Sequence, residues 1–287
     1  MTGRTNPYDW LEEEPPEGIF IGAEPSLSLL GLPQGGPIKR RSMSDDQEVA
    51  AQNETVRDRL EQAARALSLT AKDGVARQID ISDLGEADMY LLRDVLAEGE
   101  ASVMAAGPDG VMQASESAFP GLWLVHHPDC PTPSFLEVAD VPGIVRDVLA
   151  QMAPRTMPLE HIVPPDGAMN VMGVLAEIRH VARTWRPGDA NHVMNFTLLP
   201  MTEADTEFLA QMLGHGPVQI SSGGYGAARV IATAFNRVWA VQYLNAMGVV
   251  ILDTIEIGDV PIAAKAAQED HEDSAHRLSI VLSGALQ

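Results

Sequence analysis

Three residues of the types that bind metal ions lie within one short stretch of the chain, as His126, His127 and Cys130. The residues before them predict a β-strand, in which successive side chains point to opposite faces of the sheet. His126 and His127 therefore cannot easily bind the same ion. We favour a structural role at the end of the strand, and we keep a metal site at these three residues as the less favoured alternative.

The remaining histidines give weaker indications of chemistry. His271 and His276 lie five residues apart in an acidic segment, whereas zinc-binding His-Glu-x-x-His motifs place their histidines four residues apart. We interpret this segment as a solvent-exposed helix face. No Ser-His-Asp or Cys-His grouping occurs in a context typical of a nucleophilic enzyme. We therefore predict that the protein is not an enzyme and holds no metal or cofactor of its own.

A glycine-rich segment, Gly223-Gly224-Tyr225-Gly226, has the composition of a phosphate-binding loop. Such loops follow a strand and open a helix, because the N–H groups at the helix start face the phosphate. Here strands are predicted on both sides, which favours a hairpin turn. We expect Tyr225 at the tip of the turn, with Arg229 just after it, to contact another polypeptide.

The sequence around these candidates repeats itself, since residues 84–142 can be laid over residues 200–261. The matched positions include an acidic residue, two glycines, a tryptophan and a proline, with Asp88 on Asp205, Gly99 on Gly216, Gly107 on Gly224, Trp123 on Trp239 and Pro142 on Pro261. Such order predicts an internal duplication into two paired modules, because solenoids usually need at least three repeats.

Some positions differ between the two copies, and those differences point to where function lies. The second copy has Tyr225, Arg229, Gln242 and Tyr243, and the first copy places Pro108, Met112, His126 and His127 on them in the nearest alignment. The shared tryptophans are most simply core residues, although Trp239 is also a candidate at the border of an interface.

The hydrophobic periodicity of each copy predicts the element order β-α-β-β-β-β-α, hence an α+β protein with mostly antiparallel sheets. A helix from Met169 to Trp185 is predicted to bridge the two modules. Further helices are predicted from Asp46 to Leu69 and from Pro261 to Leu282, and a strand from Val193 to Leu199.

Composition suggests four regions along the chain. Residues 1–45 are acidic and rich in proline and glycine, which is typical of a largely disordered arm. The first module with its leading helix takes residues 46–153, and a linker with the bridging helix takes 154–192. The second module takes residues 193–287.

Forty acidic and nineteen basic residues leave a formal charge of −21, which disfavours binding to nucleic acid or to anionic lipid. No apolar run reaches the roughly 18 residues of a transmembrane helix, and the N-terminus does not resemble a signal peptide. The only cysteine cannot form an internal disulfide. We expect a cytoplasmic protein without membrane insertion.

Several unusual motifs of the second half resemble the hydrogenase expression proteins of the HupH/HyaF type. They occur in order as His192-x-x-Asn195-Phe196-Thr197-Leu198-Leu199-Pro200, Leu213-Gly214-x-Gly216-Pro217-Val218, Gly224-Tyr225-Gly226, Val238-Trp239-x-Val241-Gln242-Tyr243, and Asp259-Val260-Pro261 with Ala266-Ala267-Gln268-Glu269-Asp270. The resemblance covers about Leu122 to Leu282.

The resemblance implies an accessory chaperone or scaffold in the maturation of an uptake nickel-iron hydrogenase. Implied partners are the precursor of the small, iron–sulfur subunit, with the large subunit as a second candidate, and a thioredoxin-like accessory protein. The family commonly has Asn-Cys where this chain has Ala227-Ala228, which favours holding a partner over thiol chemistry. The alternative is a metal or iron–sulfur cluster transfer factor that uses His126, His127 and Cys130.

The predicted partner contacts combine the hairpin tip with the positions that differ between the copies. They are Gly224, Tyr225, Gly226, Arg229, Trp239, Gln242 and Tyr243. Whether two copies of the chain form a homodimer stays open.

Overall fold

The computed structural model describes residues 53–108, 110–127, 134–223 and 226–283. These residues form two compact units. The first unit contains residues 53–105, the described part of 109–147, and 265–283, and the second contains 106–108 and 148–264. The predicted disordered arm lies outside the described residues.

The first unit is an antiparallel sheet covered by helices, with strand order β1-β5-β4-β3-β2. Its elements, in chain order, are α1 (Glu54–Asp73), β1 (Arg77–Asp80), α2 (Glu86–Leu96), β2 (Ala101–Gly107), β3 (Gly110–Glu116), β4 (Leu122–His126), β5 (Phe135–Val138) and α3 (Gly143–Gln151).

Helix α1 shows why these residues fold as they do. Apart from the exposed Leu69, its apolar residues recur at helical spacing and are buried, whereas its charged residues face outward. The Asn53 side chain accepts hydrogen bonds from the N–H groups of Thr55 and Val56, so it caps the helix start. Gly74 ends the helix at φ +67°, a left-handed conformation that favours glycine.

The second unit has the same architecture, with strand order β6-β10-β9-β8-β7. Its elements are α4 (Val171–Thr184), β6 (His192–Asn195), α5 (Glu203–Leu213), β7 (Val218–Ser222), β8 (Ala228–Ala232), β9 (Val238–Leu244) and β10 (Val250–Ile257). The helices α4 and α5 pack on one face of the sheet, and the core between them includes Leu175, Ile178, Leu209, Ala240 and Ile255. The α+β class and antiparallel pairing predicted from the sequence are confirmed.

Both units begin with a helix, a feature that the sequence alignment did not include in the repeat. Asn53 and Asn170 are the N-cap residues of α1 and α4, and they lie at the same offset as Asp88 and Asp205. In the first unit the Asn53 amide donates to the Asp88 carboxylate at 2.8 Å. In the second, Asp205 accepts directly from the N–H of Asn170 at 2.9 Å. Within each unit, residues at matched positions therefore connect the first helix to the second.

The matched glycines occupy equivalent crowded positions. The N–H groups of Gly99 and Gly216 donate at 2.8 Å to the backbone oxygens of Glu116 and Ala232, respectively. A Cβ on either glycine would overlap a backbone oxygen of the following residue, Ser117 or Thr233. Only glycine fits this approach of two backbones in either unit.

The last helix of the chain starts later than predicted, and it packs in the first unit rather than in the second. Residues after Pro261 form a short 3-10 helix (Ile262–Ala264), and helix α6 (Gln268–Ser283) starts later than predicted. The reason is a hydrogen bond of 2.7 Å from the Ala267 N–H to the Asp270 carboxylate, which satisfies a donor at the helix start. Although α6 follows the second copy in the chain, it packs against α1 in the first unit.

Three smaller predictions also need correction. His271 is buried rather than on a solvent-exposed face, and its Nδ1 lies 2.9 Å from the Ala267 oxygen. Strand β6 ends at Asn195 instead of continuing to Leu199, since the Asn195 side chain accepts from the Thr197 N–H and turns the chain. Helix α1 extends to Asp73 rather than ending at Leu69.

No helix within the described ranges is long and apolar enough to cross a membrane.

Candidate functional site

A row of polar side chains crosses the second sheet on the face covered by its helices. The strand register pairs Arg229 of β8 with Gln242 of β9, and Gln242 with Asp253 of β10. Alternation along the strands places Gln242 on the same face as Ala240, and Asp253 on the same face as Ile255, both of which lie in the core. Arg229 Nη1 lies 3.4 Å from Gln242 Oε1.

The row is buried, and it includes Arg229, which the sequence predicted as a partner contact just after the hairpin tip. The exposed fractions of Arg229 and Asp253 are 8% and 4%. A charged residue after a turn is usually solvated, whereas Arg229 lies inside β8 and faces Gln242. Desolvation lowers the pKa of the Arg229 guanidinium.

Asp253 was not predicted from the sequence, and it is the most perturbed residue of the row. Burial raises the pKa of its carboxyl group to about 8, although Gln242 and the Thr254 N–H favour the ionised form. Gln242 lies close enough to lower the pKa of Asp253 slightly. However, neither Asp253 oxygen accepts a well-formed hydrogen bond from the described residues. The row thus holds an acceptor whose hydrogen-bonding capacity is largely unused.

The tryptophans are core residues, as the sequence predicted, and each is only 1% exposed. Trp239 therefore does not present its ring at the surface of the described structure. Each tryptophan lies opposite a buried glutamate on the neighbouring strand, with Trp123 facing Glu137 and Trp239 facing Glu256. Burial raises the pKa of both glutamates.

The other predicted contacts are only partly described. Gly224 and Tyr225 lie outside the described residues, as does Cys130, while Gly226 is exposed with φ +90°. Tyr243 is half-buried, and burial raises the pKa of its hydroxyl group. These residues stay predictions as partner contacts.

The strand register corrects the alignment of the two copies at this row. His126 pairs with Gln113, as Gln242 pairs with Arg229, so the counterpart of Arg229 is Gln113 rather than Met112. Gln113 is exposed, which means that the buried Arg229–Gln242–Asp253 row belongs to the second unit alone.

His126 is half-buried and His127 is exposed. Across the parts of the chain with described positions, no group of three or more His, Cys, Asp or Glu residues is arranged to hold a metal ion. Because Cys130 is outside those parts, the three-residue alternative is not tested as a set.

An exposed apolar cluster, which sequence reasoning missed, lies at the end of the second sheet next to this row. Two of its members follow β6, two lie in the β9–β10 turn and one is in β10, and together they form what we call the open end: Leu198, Leu199, Met247, Val249 and Ile251. Leu198 and Met247 are 80% and 85% exposed. The signal in the sequence was the apolar character of turn residues that are usually polar.

Strand pairing at the open end is incomplete. Strand β9 pairs with β10 from Val250 to Ile257, but β6 pairs only with Thr254 to Ile257. The last contacts on the β6 side are made by Asp253, whose oxygen accepts from the Phe196 N–H and whose N–H donates to Thr197 Oγ1. A bulge at Ile251 interrupts the pairing with β9. Bulges are frequent at strand edges and beside functional sites.

Clustered exposed apolar side chains beside a partly unpaired strand are typical of surfaces that bind another polypeptide. Comparison with known proteins places the chain more narrowly. The family model of the HupH hydrogenase expression protein, C-terminal conserved region, matches residues 51–160 and 168–284.

Two hydrogenase accessory proteins, HupH and HyaF, agree with this match. The hydrogenase expression/formation protein HupH of Rhizobium leguminosarum bv. viciae is 37% identical over 262 residues, which cover 90% of each chain. The hydrogenase-1 operon protein HyaF of Escherichia coli is 32% identical over 212 residues, covering 72% of this chain and 73% of that protein. A solved structure of hydrogenase expression protein HupH from Thiobacillus denitrificans has 31% identity and a TM-score of 0.36, and covers 40% of this chain and 95% of that chain.

The chain belongs to the family of HupH hydrogenase expression proteins, and the resemblance stated from the motifs is confirmed.

Proposed function

We propose that this protein is a non-catalytic accessory protein in the maturation of an uptake nickel-iron hydrogenase, where it holds a subunit precursor. The precursor of the small, iron–sulfur subunit is the favoured client. Family membership supports the link to hydrogenase, and the names of the relatives refer to expression and formation of the enzyme. The observation that carries the holding role is the open end, with its five exposed apolar side chains.

Binding through this surface is energetically reasonable. Transfer of an exposed aliphatic side chain from water into an interface contributes roughly 1.5–3 kcal/mol when burial is complete. Met247 is 85% exposed and has a flexible thioether side chain, so it can adapt to different contact shapes. A few such contacts are sufficient for a transient complex, which suits a protein that must later release its client.

Charge supports the same role. A formal charge of −21 gives the molecule a long-range attraction for basic segments of a partner. Such complementarity increases the rate of encounter more than the final affinity, and it weakens as salt is added.

We further propose that the two units arose by internal duplication and that the second unit then acquired the client site. The identical strand order, the matched Gly99 and Gly216, and the matched Asn–Asp positions support a common origin. The family model also matches the chain in two segments, each containing one copy. The polar row supports specialisation of the second unit. Its buried Arg229 corresponds to an exposed residue, Gln113, in the first unit.

Co-purification with separately produced hydrogenase subunit precursors tests the holding role. We expect the wild-type protein to recover the small-subunit precursor. A Leu198→Ser/Ile251→Ser variant should recover at least about tenfold less, because two apolar contacts are lost. Ile262→Ser is the matched control, since Ile262 is 74% exposed but lies outside the open end.

Recovery of neither the small-subunit nor the large-subunit precursor at low salt would contradict the proposal. Recovery of the large-subunit precursor alone would keep the holding role and correct the client.

A further inference from the structure

The outer side of β10 has room for another strand where β6 is too short to cover it. Strand β6 pairs with the second half of β10 only, and the chain turns away after Thr197. Residues Val250 to Leu252 therefore have β9 on one side and, within the described ranges, no strand on the other. Unpaired backbone groups on an edge of this kind are a template for an added strand.

A second observation indicates what kind of segment fits there. Asp253 marks the position where pairing with β6 ends, and its carboxylate is buried without a well-formed hydrogen bond. Leaving such a group unsatisfied costs about 1–3 kcal/mol. A donor brought by a partner would remove that penalty, and a positively charged donor would favour the ionised form of this carboxyl group in its buried environment.

The surroundings restrict the partner further. The open end supplies apolar contacts on both flanks of the unpaired stretch, from Leu198 on the β6 side and from Met247 in the β9–β10 turn. The polar row contains one cationic group on the same sheet face as Asp253, namely Arg229. Gln242 on β9 lies between Arg229 and Asp253. The net charge of the chain also favours a basic partner.

We infer that the first half of β10 binds an extended, apolar segment of the client by strand addition, and that Asp253 receives a basic side chain of that segment. This inference rests on the proposed holding function and specifies the chemistry of the client. Backbone pairing along Val250–Leu252 gives affinity without regard to sequence, whereas Asp253 selects for the cation.

A peptide of alternating leucine and serine with one central arginine tests the inference, with binding measured by titration calorimetry against the full-length protein. We expect replacement of the arginine by citrulline, its neutral isostere, to weaken binding about tenfold or more. Methylation of alternate backbone nitrogens of the peptide should abolish binding, because it removes the donors that pair with a strand edge.

Two protein variants complete the experiment. Asp253→Asn should bind the arginine and citrulline peptides equally, whereas Glu272→Gln, a change at an exposed acidic residue of α6, should retain the preference for arginine. Because the citrulline and methylated peptides leave the protein unchanged, the test does not depend on the folding of any variant.

Equal binding of the arginine and citrulline peptides to the wild-type protein would overturn the role of Asp253. Binding that is insensitive to backbone methylation would overturn strand addition. If the protein captures a precursor but binds none of the peptides, this inference fails while the proposed function stands. If it captures no precursor, the proposed function itself fails.

Discussion

Asp205 and Asp253 are both buried aspartates of the second unit, but their surroundings shift their pKa values in opposite directions. Burial opposes ionisation of Asp205, yet its oxygens accept from the N–H groups of Met169, Asn170, Val171 and Thr202, and its pKa is lowered to about 2. For Asp253 the influence of Gln242 and the Thr254 N–H is smaller than the effect of burial, which raises its pKa to about 8. Asp205 is thus a structural residue, whereas Asp253 has capacity left for a partner.

The raised pKa of Asp253 gives a testable pH dependence of stability. Between about pH 4 and pH 8 the unfolded chain has this group ionised while the folded protein keeps it protonated, so its contribution to the free energy of unfolding falls as pH rises. We predict that Asp253→Asn is more stable than the wild type, by on the order of 5 kcal/mol at pH 8. Urea unfolding at several pH values measures the difference.

The difference should grow from about pH 4 to pH 8 and stay constant above that range. A difference between Asp253→Asn and wild type that is independent of pH would show that Asp253 does not titrate as inferred.

Sequence patterns selected two residues of the polar row but did not predict how buried the row is. Arg229 and Gln242 were selected because they differ between the copies, and the structure places them side by side in one row. Asp253 was missed because its strand reads as apolar and β-branched, and one acid in such a strand usually faces solvent. Its burial depends on strand register and on where β6 ends, and both are set by tertiary pairing.

Helix α4 depends on an acceptor from another helix for its N-terminal cap. The Asp205 carboxylate, at the start of α5, accepts from three consecutive N–H groups at the start of α4. Helix α1 instead uses its own Asn53 side chain as the cap, and the Asn53 amide donates to the Asp88 carboxylate. The aspartate therefore caps the first helix of the second unit, whereas the asparagine caps the first helix of the first unit.

This asymmetry predicts different effects of the same substitution. Asp205→Ala should reduce the free energy of unfolding by about 2–4 kcal/mol, because several buried donors lose their acceptor. Asp88→Ala is the matched control and should cost less than about 1 kcal/mol, since Asn53 still caps α1. Urea unfolding of both variants measures this, and equal losses would contradict the account.

The loss in Asp205→Ala should also depend on pH. Because the folded pKa of Asp205 is lowered, its stabilisation is present above about pH 4 and disappears as pH falls towards 2. The difference between wild type and Asp205→Ala should therefore shrink over that interval.

Element order could be predicted well from periodicity, because the strands and α5 have strong alternation or capping signals. Helix α5 runs from Glu203 to Leu213, and Thr202 and Asp205 form the capping box at its start. The start of α6 could not be predicted, because Pro261 also suits the first turn of a helix and the decisive Asp270 contact is local geometry. The early end of β6 could not be predicted either, because the apolar sequence continues to Leu199. This early end leaves the first half of β10 without a strand on its β6 side.

On the scale of the whole molecule, the proposed holding role rests on family membership together with the open end. The first unit has the same strand order as the second and the same crowded glycine position. The open end and the polar row are features of the second unit, so we place recognition of the client there. The sequence indicated this division through positions that do not recur, but it could not indicate which of them reach the surface.

Amide hydrogen exchange of the complex with a hydrogenase small-subunit precursor tests this account most directly. We predict that exchange at Val250 to Leu252 and at Leu198 slows by about tenfold or more in the complex, because these groups become paired or buried. Amides of the first-unit strand β4 should change little and serve as the internal reference. A complex that forms with protection elsewhere and none at the open end would contradict the account.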